Sequence, residues 1–283
     1  MADVVLAAVP TPFTAEGDLD IPTARRVFAY IADAVDGLFL AGTTGEFPAL
    51  DANERIEVIE LGIEVAGADR VIAQIGAPDA HRAARLAADA VALGATRIAA
   101  VTPYYGTPRP AELTDYYLRI RDAAPTAELY AYLFPERTGL TLPPPAFAAL
   151  AETVGLAGAK LSGSAAGDVA ACAAACPGLK IYSGNDSDLG AVLRAGGAGI
   201  ISARSAAFPK VFGALAAALA AGDTAAAARY QADVDSIVAL GASTGRVKAA
   251  LRQRGFVPMA ARMPADDPDE ATSARIAELV QAL

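Results

Sequence analysis

Short apolar runs alternate with longer segments of helical spacing along almost the whole chain. The apolar runs are VVLAAV (4–9), GLFLAG (37–42), RVIAQIG (70–76), RIAAVTP (97–103), ELYAYLF (128–134), GLAGAKL (155–161), KIYSG (180–184) and GIISA (199–203). Helical spacing fills the gaps near 22–34, 51–66, 79–93, 110–123, 144–153, 167–175, 186–195 and 206–221. Strands that are apolar on both faces are buried on both faces, which is the condition of a parallel sheet covered by helices. Eight such units predict an α/β fold, a closed (β/α)8 TIM barrel rather than an open sheet. Residues 224–282 read as three more helices. The expected organisation is therefore a barrel over 1–223 and a C-terminal helical extension over 224–283, both in one domain unit. The alanine-rich stretch AALAAALAAGDTAAAARY reads as two helices around Gly222-Asp223, because alanine favours helix most strongly.

Composition narrows the function classes. Of the 283 residues, 54% are hydrophobic and 19% charged, ample for a core and far from a disordered composition. The net charge of −9 comes without any Lys/Arg cluster, which speaks against nucleic acid and anionic membranes as partners. The two cysteines, Cys172 and Cys176, read as small buried residues without a disulfide framework, which points to a reducing, cytoplasmic setting. The N-terminal MADVVLAAVPTPF has no basic region, and its short apolar run meets Pro10 and Pro12. It reads as neither signal peptide nor membrane span.

In a barrel of this kind chemistry sits at the C-terminal strand ends. Those ends carry Pro10-Thr11-Pro12, GTTGE (42–46), TPYYGTP (102–108), Tyr132 running into PERTG (135–139), Lys160, SGND (183–186) and Ser202. Of the four lysines, Lys180 begins its strand, Lys210 and Lys248 fall in helical segments, and Lys160 alone lies near a strand end. A lysine among apolar neighbours either snorkels to the rim or is desolvated into a neutral nucleophile. The strand by itself leaves both open; the hydroxyls converging on the same rim favour the nucleophile. GTTGE offers two hydroxyls and turn amides suited to a carboxylate, and equally suits a turn capping the next helix. The one histidine, His81, starts a helix, so imidazole is not the expected acid–base group.

GTTGE, TPYY and Tyr-x-x-Pro-x-x-Thr-Gly over 132–139, in this order and with a strand-six lysine before SGND, resemble the dihydrodipicolinate synthase/N-acetylneuraminate lyase family of class I aldolases. The resemblance spans essentially the whole chain. It implies a pyruvate-dependent Schiff-base lyase or synthase, built as a homotetramer or homodimer. Lys160 matches the Schiff-base lysine, Tyr132 the proton shuttle, and Thr43 and Tyr105 the rest of a hydroxyl relay in which the tyrosine crosses to a neighbour's site. Thr44 matches the pyruvate-carboxylate binder, Ile201 a position whose carbonyl faces the site, and Gly184 a lining position. Arg137 matches an arginine that in synthases binds the carboxylate of aspartate semialdehyde. The imine is itself the electron sink, so neither metal nor organic cofactor is expected, and the partners are small molecules, pyruvate and an aldehyde.

The pattern departs from synthases at Leu133, Leu161-Ser162, Asn185, Phe47-Pro48 and Arg204-Ser205. These departures leave the pyruvate half of the expected site intact and mark the second-substrate half as altered. Condensation of pyruvate with aspartate semialdehyde is the first reading, from Arg137 and TPYY. Cleavage of a 2-keto-3-deoxy sugar acid or related 2-oxo acid is the alternative, favoured by Leu133, Leu161 and Phe47. A non-catalytic 2-oxo acid sensor is more remote, given the complete set Lys160, Tyr132, Thr43 and Tyr105.

Overall fold

The computed structural model describes residues 3–187 and 189–283. Eight strands, β1 (Val5–Ala8), β2 (Gly37–Leu40), β3 (Val71–Gln74), β4 (Arg97–Val101), β5 (Glu128–Leu133), β6 (Gly158–Leu161), β7 (Lys180–Ser183) and β8 (Gly199–Ser202), follow one another around a closed barrel. The expected TIM barrel is therefore the fold. Every residue of β1–β4, β6 and β8 is buried. Only the first residues of β5 and β7 escape burial, Glu128 and Lys180, and they pair with each other at 3.2 Å. Past residue 223 the chain forms the helices Thr224–Val238, Thr244–Gln253 and Glu270–Ala282.

Element edges moved where backbone groups had better partners. β6 begins at Gly158 rather than 155, because the Gly155 and Leu156 amides both donate to Ala151 O and close the helix Pro144–Val154. The segment expected to be helical from 167 starts as a 3-10 stretch, Gly163–Asp168, and becomes α-helical at Val169. A short helix, Pro135–Thr138, was not anticipated; Pro135 fits its first turn, where no amide partner is needed.

The chain divides into two compact units, Val71–Ile201 and Asp3–Arg70 with Ser202–Leu283. In the first, the register aligns Tyr132 with Lys160 and Lys160 with Tyr182, so the three share one face of β5–β7. One step lower, Gly158 lies beside Tyr130 and Lys180. A side chain there would collide with the Lys180 carbonyl oxygen. In the second unit, β1 and β2 pair through Leu6–Gly37, Ala7–Leu38 and Ala8–Phe39. The Asp36 carboxylate accepts the Val4 and Val5 amides at 2.9 and 2.8 Å, fixing the entry to β1.

Gly158→Ala is expected to destabilise the fold by about 1–3 kcal/mol, the usual cost of overpacking a close approach. Urea unfolding of the purified variant measures it. An unchanged midpoint would mean that β6 and β7 can separate without loss.

Candidate active site

Lys160 is the third residue of β6 and its side chain is buried. Burial drives its amine down to about 7, against the opposing pull of the Asp186 carboxylate. Near neutral pH roughly half of such an amine is uncharged, where an ordinary lysine has fewer than about one in a thousand. Its Nζ lies 4.6 Å from the centroid of the Tyr132 ring on the adjacent strand. The ring face offers the ammonium a modest compensation, so the two forms are closely balanced. Asp186, just past β7, is buried as well, and its charge keeps the balance from tipping wholly to the neutral amine.

Aromatic contacts extend outward from this pair. The Tyr132 and Phe134 rings lie 6.1 Å apart, and the Arg137 guanidinium sits 5.8 Å from the Phe134 centroid. Arg137 itself is exposed on the short helix Pro135–Thr138, where an incoming anion can reach it. Its neighbour Glu136 accepts the Ser164 amide at 2.8 Å, and hydrogen bonds from Ser164 hold the Glu136 carboxyl below its usual range. The Glu136 carboxylate also abuts Gly163, at φ +61, a position where any side chain would be both strained and blocked. The loop after β6 is thereby tied to the helix carrying Arg137. Gly184 donates its amide to Leu161 O at 2.6 Å. Ile201 is buried in β8, two residues beyond Gly199, which aligns with Tyr182. Alternation along β8 therefore gives Ile201 the same face as Lys160.

Thr43 and Thr44 belong to the other compact unit, in the turn after β2. The Glu46 amide donates to Thr43 O at 3.0 Å, the Phe47 amide to Gly42 O at 3.3 Å, and Thr11 Oγ1 to Gly45 O at 2.8 Å. Both ends of the turn are left-handed without glycine, Ala41 at φ 50° and Glu46 at φ 55°. Such backbone costs of order 1–3 kcal/mol per residue and persists only where surroundings fix it. The turn does not cap the next helix: Asp51 does, in a capping box with Glu54 at the start of Ala52–Ala66. Tyr105 is fully exposed and also left-handed, at φ 75°. It is the one member of the expected relay that stands out in solvent.

A model of the dihydrodipicolinate synthetase family matches residues 1–283. The chain belongs to that family. A 4-hydroxy-tetrahydrodipicolinate synthase of Methylococcus capsulatus is 33% identical over 265 residues, covering 92% of this chain and 91% of its own. A DapA-like lyase of Halobacterium salinarum is 35% identical, with 97% and 93% covered. Among solved structures, the Escherichia coli K12 prophage protein YagE, of the dihydrodipicolinic acid synthase family and crystallised with pyruvate, superposes with a TM-score of 0.90 at 29% identity, covering 99% and 98%. The family is one of lyases and synthases. No helix among the described residues is long and apolar enough to cross a membrane.

Against the family pattern, two of the departures change meaning. Leu133 and Leu161 are aligned with each other on β5 and β6, on the strand face opposite Tyr132 and Lys160, and both are buried. They pack away from the amine and do not line its side, contrary to the expectation that they alter the second-substrate half. Phe47 is buried beneath the Arg55 guanidinium, 5.2 Å from its ring centroid. Sequence reasoning also missed two groups. Tyr182 flanks Lys160 on the side away from Tyr132, and only strand register reveals it. Glu46, the acid of GTTGE, is buried against Lys248 at 2.5 Å. Its one signal was a lysine within the apolar helical stretch VKAAL. Cys172 and Cys176 are free and buried, and burial, with Asp168 and Cys176 nearby, pushes the Cys172 thiol up to about 11, as inert thiols require.

Asp186→Asn tests the balance at Lys160. The Asp186 charge favours the ammonium, so its removal lowers the amine's pKa further. The acid limb of any reaction that needs the neutral amine, expected near pH 7 in the unmodified protein, shifts to lower pH in the variant. The rate of reductive alkylation of Lys160 against pH, read by peptide mass spectrometry, checks it; a shift to higher pH contradicts the assignment.

Proposed function

We propose that this protein is a pyruvate-dependent Schiff-base enzyme, and that its reaction is that of a 4-hydroxy-tetrahydrodipicolinate synthase, the condensation of pyruvate with aspartate semialdehyde. The observation that carries the proposal is the buried Lys160 amine, held near neutrality beside the Tyr132 ring. A neutral amine attacks the keto carbon of pyruvate; loss of water leaves a cationic imine. The imine draws electrons from the adjacent methyl group, whose proton leaves to give an enamine, and the enamine carbon attacks the aldehyde. Tyr132 moves the protons, because a phenol beside an iminium can give up its proton more easily. Thr43 and Tyr105 extend that relay, and Thr44 with the turn amides takes the pyruvate carboxylate. Gly184 and Ile201 line the site, and exposed Arg137 takes the carboxylate of the semialdehyde. The chemistry is carried by the imine on Lys160 without a metal or organic cofactor.

The synthase reading is supported by relatives of about a third identity that bear that name. Cleavage of a sugar acid drew on Leu133, Leu161 and Phe47, and each of these is a buried packing residue. The exposure of Tyr105 supports an active homodimer or homotetramer in which this ring enters a neighbouring copy. The reaction belongs to the cytoplasm, where its substrates are small acids in free solution.

Incubation with pyruvate and borohydride is expected to leave a reduced three-carbon adduct on Lys160, located by peptide mass spectrometry. An adduct on Lys180 instead, or none, overturns the reaction. For the shared relay, Tyr105→Phe and Lys160→Ala proteins are mixed under subunit-exchanging conditions. Each parent is nearly inactive, and the mixture is expected to regain a measurable share of wild-type turnover. A monomer that is fully active at assay concentration contradicts the sharing.

A further inference from the structure

Glu46 is placed where a turn residue is normally solvated, yet it is buried and saturated with donors. One carboxylate oxygen accepts Lys248 Nζ at 2.5 Å, and the other accepts the amides of Arg262 at 2.9 Å and Met263 at 2.7 Å. Lys248 lies in the helix Thr244–Gln253 and is itself fully buried; its ammonium also donates to Ala260 O at 2.6 Å and lies 4.6 Å from the Phe13 ring centroid. The non-helical segment 260–263 is fastened in turn. Ala260 donates its amide to Phe13 O at 3.1 Å. The Arg262 guanidinium reaches Gly17 O at 2.6 Å, Ala49 O at 2.9 Å and both oxygens of Glu54. Three of these contacts end on Glu46, in the turn that carries Thr43 and Thr44, and the others hold Lys248 and Arg262 in place.

The backbone transmits the anchorage. Glu46 donates its own amide to Thr43 O, so fixing its side chain fixes the carbonyl of the first threonine. Glu46 is also left-handed at φ 55°, as is Ala41 at the other end of the turn. A turn bent at both ends into sparsely populated backbone needs an outside hold, and a desolvated carboxylate with three charge-assisted donors supplies one.

We propose that Glu46, Lys248 and the segment 260–263 form a positioning clamp that holds the Thr43–Thr44 turn so that Thr44 and the turn amides meet the carboxylate of the 2-oxo acid. Segment 260–263 and Lys248 thereby set the affinity for that substrate without touching it. This inference rests on the Schiff-base reading above.

Two variants test it. Glu46→Gln removes the charge and leaves Lys248 buried without its counter-ion. Glu46→Gln/Lys248→Met removes both charges together, a replacement that buried ion pairs commonly tolerate in folding. For both, and for the unmodified protein, the extent of borohydride trapping on Lys160 is followed against pyruvate concentration, alongside kcat and KM. The double variant is expected to stay folded by circular dichroism. It is expected to need roughly tenfold more pyruvate for half-maximal trapping, with the trapping plateau at saturation within about twofold of the unmodified protein. A merely structural role would lower the plateau, through loss of folded protein, and leave half-saturation where it was. Trapping in the unmodified protein with unchanged half-saturation in the double variant overturns the clamp alone. Absence of trapping in the unmodified protein overturns the Schiff-base reading and the clamp with it.

Discussion

An ammonium ion in a wall of buried strands has little to solvate it, and the unit Val71–Ile201 is organised around that cost at Lys160. The neighbours on its face are tyrosines from the two flanking strands, Tyr132 and Tyr182, with Tyr130 one step below. They are bulky enough to exclude water and carry hydroxyls instead of charges. Gly158 keeps β6 and β7 close enough for this stack to form. A ring face and the buried carboxylate of Asp186 offset part of the desolvation, and the amine comes to rest near neutrality.

The opposite end of the same strands shows how charge behaves where no chemistry is asked of it. Lys180 reaches Glu128 across β5 and β7, and the Tyr130 hydroxyl donates to the same carboxylate at 2.5 Å. Burial raises the Glu128 carboxyl, and the hydrogen bonds from Tyr130 and Lys180 more than reverse it, holding it below the usual range. Lys180 is half-exposed and paired with Glu128; Lys160 is buried. The two lysines share a residue type and a barrel, and differ by the desolvation that separates a structural cation from a candidate nucleophile.

The barrel was legible because parallel strands buried on both faces must be apolar throughout, and such runs, too short for helices, alternate eight times with segments of helical spacing. Lys160 was legible for the same reason, as the polar exception in GLAGAKL. What escaped is what depends on direction or distance. Whether Leu133 and Leu161 face the amine follows from register, which a single strand does not contain. Glu46 reads as an ordinary turn acid because its partner lies 202 residues further along the chain. The helix Pro135–Thr138 is too short to show a period.

The separation of Glu46 from its donors carries a consequence for synthesis. Its hydrogen-bond partners at Lys248, Arg262 and Met263 lie 202, 216 and 217 positions downstream. During translation the chain emerges from its N-terminal end, so Glu46 is made long before the groups that bury its carboxylate. The loop closed by these bonds spans most of the polypeptide, and its entropy is met only by long-range assembly. In a nascent chain the turn that carries Thr43 and Thr44 can be fastened only after Lys248, Arg262 and Met263 have been made. Termination before Lys248 would leave Glu46 without its clamp.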